Sequence, residues 1–198
     1  MVVRIAEHIT KKMIMESIIE EGDKELYCYG FFLLFTRFFF LLVVVTIGFI
    51  ADVWFESIVF YVVFMSLRSY AGGIHARTEK VCTIATTLVL IASVLVVKLL
   101  GMYASGIVSM LILGIGSLCI LAFSPLDTSE KTLDEHEKRE YKAICFTILI
   151  ICILISLIAW HYGIKSIFYP VDCGICLESV LLMLGKICSH RKSRNHIG

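Results

Sequence analysis

A cysteine needs help before it attacks a carbonyl, and one stretch of this chain offers it: Arg68-Ser-Tyr-Ala-Gly-Gly-Ile-His75-Ala-Arg-Thr-Glu-Lys-Val-Cys82. A free thiol, with a pKa of about 8.5, is mostly protonated near neutral pH, and a neighbouring imidazole or helix N-terminus lowers that value to as little as about 3.5. His75 lies seven residues before Cys82, and Thr78 is placed to cap a helix that would hold Cys82 just inside its first turn. On one continuous helix the two would stand about 10.5 Å apart along the axis. Proton transfer needs contact near ~3 Å, so the chain must bend between them, and Gly72 with Gly73 supplies permissive backbone just before His75. Arg68, Arg77 and Lys80 add positive potential that favours a thiolate and suits an acidic substrate. On spacing alone, a solvent-exposed loop with an incidental His and Cys remains the commoner outcome.

Other candidates are weaker. Arg37 and Glu178 fall inside long apolar runs, where a charge must face the bundle interior and find a partner. Pairing with each other is one solution, and a helix-packing ion pair is a commoner role for them than substrate contact. Glu56 sits near an interface and needs no role. Cys173 and Cys176 form a single C-x-x-C, but zinc sites want four ligands and no second pair is near. His136 and His161 lack acidic or cysteine neighbours at ligand spacing, so no metal site is expected. There is no H-E-x-x-H and no G-x-S-x-G, which leaves the thiol as the proteolytic option.

The elements that must position these residues are transmembrane helices. Of 198 residues 59% are hydrophobic, and the mean hydropathy is +0.89. A soluble domain is about half apolar. Eight cysteines lie mostly inside apolar runs, where a thiol is a small buriable hydrophobe rather than part of a disulfide framework. No cleavable signal sequence is expected, because the first long apolar run begins near Tyr29, after a charged segment. Residues Val2 to Glu25 place Val2, Ile5, Ile9 and Met13 at helical spacing, which predicts an amphipathic N-terminal helix at the membrane surface or packed on its own protein. Six segments approach the roughly 17 to 25 residues a bilayer needs: Gly30 to Ile50, Val53 to Leu67, Val81 to Leu100, Ile107 to Phe123, Ala143 to Trp160, and Val171 to Ile187. The second is short, and Gly48 and Asp52 alone part it from the first, so five or six spans are expected.

Charge orients them. With six spans, fifteen of the 18 Lys and Arg residues fall on one side, and only Lys98 and Lys165 on the other. Basic residues are retained in the cytoplasm, so both termini and the Arg68 to Lys80 loop are expected there. Trp160, Tyr162, Phe168 and Tyr169 suit an outer aromatic belt. A net charge of +1 and a pI near 7.6 give no sign of nucleic-acid binding.

The run Arg68, Gly73, His75, Ala76 and Cys82, set between two membrane helices, resembles the accessory gene regulator B (AgrB) family. The Ser124-Pro125-Leu126-Asp127 loop resembles that family's proline-containing central loop, and the likeness covers essentially the whole chain. It implies a bacterial cell-membrane cysteine endopeptidase that cleaves the C-terminal tail of an AgrD-like precursor peptide. The core is then closed into a thiolactone or lactone for quorum sensing and, through it, virulence. It implies His75 and Cys82 as the catalytic pair, with Arg68 and Gly73 in the same motif; for a supporting residue that orients His75, the sequence itself offers Glu79, close along the chain, and Glu178 or Asp127 through the fold. No cofactor or metal is expected. The expected partners are the precursor, membrane lipid and, in a homodimer, a second copy of the chain. One departure stands out: Asp127 to Lys142 carries six carboxylates against four bases, unlike the basic loop of some relatives. The expected organisation is one domain, 1–198, with an amphipathic segment 1–28, a bundle 30–187 and a basic tail 188–198. The rival reading is a small membrane transporter or scaffold using Arg37 and Glu178.

Overall fold

In the computed structural model residues 2–72, 79–126 and 135–195 are described, without the side chains of residues 79, 80, 135 and 188–195, and every regular element among them is helical. Seven α-helices follow in order: α1 (Val2–Met15), α2 (Lys24–Ile50), α3 (Trp54–Ala71), α4 (Glu79–Tyr103), α5 (Gly106–Phe123), α6 (Glu135–His161) and α7 (Lys165–Asn195). The fold is therefore an all-α polytopic bundle preceded by an N-terminal helix. By length and apolarity the helical stretches Glu21–Ile50, Val81–Tyr103, Gly106–Phe123, His136–His161 and Lys165–Ile187 can cross a membrane. The remaining long helix, α3, has 18 residues and carries Glu56 and Arg68, which lower its hydropathy.

The chain divides into two compact units, 1–43 and 44–198. In the first, α1 ends at Met15, well short of the Glu25 expected from the apolar spacing. The cause is a left-handed residue: Ser17 has φ 54°, its N–H donates to the Ile14 carbonyl, and the Ile18 N–H reaches back to Met13. This is the hydrogen-bond pattern that ends a helix by satisfying its last carbonyls, though a glycine usually supplies it. A short 3-10 turn over Glu21–Asp23 then leads into α2.

In the second unit the same device separates α2 from α3. Asp52 takes φ 61°, with the Asp52 N–H on Phe49 and the Val53 N–H on Gly48. A side chain at Gly48 would lie 2.6 Å from Ser57 Oγ, so the close return of α3 requires glycine there.

Helix α7 is the axis of this unit and packs against α3, α4, α5 and α6. Its face over Phe168, Tyr169, Val171, Ile175 and Leu182 is buried. On α3 the buried residues Ser57, Phe60, Phe64, Leu67 and Ala71 recur every three or four positions, the stripe of a helix enclosed by neighbours. Enclosure by α4, α6 and α7 is what lets α3 carry charge. At Gly174 an added Cβ would sit 3.0 Å from Val63 Cγ1 and 3.3 Å from the Phe60 carbonyl oxygen, so α3 and α7 approach backbone to backbone. The outer faces are apolar: Leu88, Leu95 and Leu99 on α4 and Leu111, Ile115 and Leu118 on α5 are exposed, as lipid solvation requires.

Two polar ties cross this apolar interior. Asp172 of α7, fully buried, accepts hydrogen bonds from Ser109 of α5 and Ser156 of α6. Tyr169 donates its hydroxyl to the Ala104 carbonyl between α4 and α5 at 2.6 Å. Both lie towards the end of the unit where α7 begins.

Candidate active site

The other end of the unit gathers the residues singled out by sequence. There α3 finishes, as any helix must, with terminal carbonyls that lack intrahelical donors. Arg68 donates from Nη1 to the Gly72 carbonyl at 2.8 Å, one helical turn ahead. The Leu126 N–H donates to the Ala71 carbonyl at 3.0 Å. The segment after α5 is thus stitched to the end of α3. Gly72 has φ 83° and ψ −159°, a region for glycine alone, and a side chain there would meet the Leu126 carbonyl at 2.6 Å. The chain therefore departs for Gly73 and His75 from an anchored point.

Behind that point Glu178 of α7 is fully buried, and its carboxylate lies 3.8 Å from the Arg68 guanidinium, which is itself about one fifth exposed. That is an ion-pair distance, and among the described residues neither Glu178 oxygen has a hydrogen-bond partner. Arg68 thus links the α3 terminus to α7. The sequence offered Arg37 as the counter-charge of Glu178, and the structure supplies Arg68 instead.

Ser124 and Cys145 complete the surroundings. The buried Ser124 hydroxyl lies 3.3 Å from Cys145 Sγ, joining the end of α5 to α6. Tyr70 and Tyr141 meet edge to face with ring centroids 5.7 Å apart, and Lys186 lies over the Phe123 ring at 4.2 Å. The ends of α3, α5 and α7 and the start of α6 are thereby tied together. Helix α4 packs against α3 and α7.

Cys82 is the fourth residue of α4, a partly buried free thiol in the first turn. Backbone N–H groups in that turn lack helical acceptors and present the positive end of the helix dipole. His75 and Gly73 lie outside the described residues, as do Thr78 and Asp127. Glu79 opens α4, and its side chain is not described. The structure thus places Arg68 and Cys82 on neighbouring helices and brings Arg68 to Glu178, Gly72 and the Leu126 segment. Cys173 and Cys176 lie within α7 as free thiols.

Sequence reasoning missed the Asp172–Ser109–Ser156 cluster and the Arg68–Glu178 pairing. A carboxylate inside an apolar run was the available signal for Asp172, but nothing in the linear order tells which hydroxyls meet it.

The family model described as Accessory gene regulator B matches residues 3–184. The chain is 24% identical over 195 residues to a protein of Clostridium perfringens (strain SM101, type A) named as AgrB-like, covering 92% of this chain and 91% of the relative. It is 25% identical over 184 residues to a second, named as AgrB-like protein 2, from C. perfringens (strain 13, type A), covering 88% and 86%. No solved structure matches significantly. A match over nearly all of a helical membrane chain, with the Arg68 to Cys82 run inside it, carries one conclusion: the protein belongs to the accessory gene regulator B family, whose role is the processing of a quorum-sensing peptide.

Proposed function

We propose that this chain is a membrane cysteine endopeptidase that cleaves the C-terminal tail from an AgrD-like precursor and closes its core into a ring. His75 accepts the Cys82 proton, and the thiolate attacks the carbonyl at the junction of core and tail. The tetrahedral adduct collapses, the C–N bond breaks, and the His75 imidazolium protonates the departing amine. The core is then held as a thioester on Cys82. A Cys thiol or Ser hydroxyl of the same peptide loses its proton to His75 and attacks that carbonyl. Cys82 leaves and is reprotonated. One bond is exchanged for another without oxidant, metal or cofactor.

The observation that carries this reading is the position of Cys82 in the first turn of α4, inside the residues 3–184 that the family model matches. A thiolate there gains from the helix N-terminus, and Arg68 anchors the end of α3 from which the His75 segment starts. Cyclisation follows from tethering: a nucleophile in the same peptide reaches effective molarities of about 10⁵ M or more, while Val81 and Ile84, both apolar, flank Cys82 and restrict water. Because the precursor is made inside the cell, the Arg68 to Lys80 loop and both termini are assigned to the cytoplasm, in line with the charge asymmetry.

The test is co-expression with the precursor, following release of its tail. Cys82→Ala and His75→Ala should each abolish release with the protein inserted at normal levels, and Cys28→Ala should leave it intact. Normal cleavage by Cys82→Ala would overturn the assignment.

A further inference from the structure

At the far end of the second unit from Arg68, a cavity of about 290 Å³ opens between the α2–α3 turn, the last turns of α4 and the start of α7. Four charged residues line it: Asp52, Glu56, Lys98 and Lys165. They come from three separate stretches of the chain, Asp52 with Glu56, Lys98, and Lys165. They are also the only Asp, Glu, Lys or Arg residues of the segments 44–57, 94–108 and 158–171, which make up that end. The other carboxylate near that end, Asp172, is buried and held by Ser109 and Ser156, so the charges left without such partners gather at one hollow.

Among the described residues no ion pair joins any of the four to another. Two carboxylates and two ammonium groups around one cavity at a membrane edge attract each other strongly, more so than in bulk water. Direct pairing would close the hollow. The backbone holds it open: Asp52 is fixed by its left-handed conformation at the end of α2, and Glu56, Lys98 and Lys165 project from three different helices. Such a site suits a ligand that carries both charges and bridges them.

Size and place narrow the class. Pockets for small ligands start near about 300 Å³, so this one admits a headgroup and excludes a folded peptide. It lies where two membrane-crossing helices end, beside exposed Leu99 and Met102 of α4, along which acyl chains can run. Its wall includes Tyr169 and Pro170, and the exposed Trp160 and Tyr162 of the same end are typical of the headgroup level. We infer that this cavity binds one zwitterionic phospholipid headgroup, with its primary ammonium toward Asp52 and Glu56 and its phosphate toward Lys98 and Lys165.

The test uses the full chain reconstituted in vesicles of equal parts phosphatidylethanolamine, phosphatidylcholine and phosphatidylglycerol, then analysed by native mass spectrometry for retained lipid. Phosphatidylethanolamine should be retained about tenfold over the other two, the worth of a charge-assisted hydrogen bond that a quaternary amine or a glycerol cannot make. Asp52→Asn with Glu56→Gln should abolish that preference, and Lys98→Gln with Lys165→Gln should lower retention of all three. The single variants Asp52→Asn and Lys165→Gln alter exposed side chains and serve where a double variant does not fold. Equal retention by the natural protein, retention unchanged in the variants, or displacement of lipid by glycylglycine would overturn the assignment.

Discussion

Removing Arg68 should cost stability and activity through two separable routes, because it holds both Glu178 and the Gly72 carbonyl. Glu178 is fully buried at 3.8 Å from Arg68. Arg68→Met leaves its carboxylate without a counter-charge, and breaking a buried pair from one side typically costs about 3–5 kcal/mol. Replacing both partners by apolar residues of similar volume is often neutral or stabilising. Arg68→Met with Glu178→Leu should therefore recover most of the lost stability, to within about 1–2 kcal/mol of the natural protein. Processing should not return with it, because the Gly72 carbonyl has lost its donor and the His75 segment its anchor. Glu178→Gln keeps Arg68 on Gly72 and should lose less of both. Unfolding in detergent read by tryptophan fluorescence, alongside tail release from the precursor, separates the two quantities. A double variant as unstable as Arg68→Met alone would refute the pairing. A stable double variant with full activity would refute the anchoring role.

Three further outcomes are expected. Gly72→Ala should cost about 1–3 kcal/mol from its backbone conformation alone and reduce tail release more than stability, since relieving the contact with Leu126 displaces the α3 terminus; unchanged kcat would contradict this. Ser109→Ala removes one of the two hydroxyls on buried Asp172 and should destabilise the fold by about 1–3 kcal/mol. Activity per folded molecule should be unchanged, since that cluster sits at the other end of the unit. Cysteine-accessibility mapping of single cysteines placed at residues 77 and 163 should find the first labelled from the cytoplasm and the second from outside; the reverse would sink both topology and mechanism.

How far the sequence could be read varies with the kind of interaction. Helices α4, α5 and α6 were legible because lipid solvation demands long apolar runs, and only Lys98, near the end of α4, interrupts them. The break between α2 and α3 was readable only through Gly48 and Asp52, and it is these two that make the turn. The end of α1 was not legible: Ser17 takes a conformation that glycine usually signals, so the apolar pattern through Ile19 reads on past the true terminus. Helix α3 carries Glu56 and Arg68 because much of its surface packs against α4, α6 and α7, a fact of three-dimensional arrangement. Glu178 shows the same limit. Its need for a cation was plain from its place in an apolar run, but Arg37 and Arg68 satisfy that need equally well in one dimension. Only the packing of α7 on α3 selects Arg68. The join between Leu126 and Ala71 had no signal beyond the proline-containing loop itself.

The most direct test of the account is whether the peptide is carried on Cys82. Purified protein, incubated with precursor in which the ring-forming Cys or Ser is replaced by Ala, is examined by intact-protein and peptide-level mass spectrometry. The account predicts a covalent adduct on Cys82 with the mass of the tail-less precursor, less one water, absent from His75→Ala and from Cys82→Ala. Stoichiometric release of linear acid with no adduct, from the natural precursor as well as the Ala variant, would contradict it and show an ordinary hydrolase.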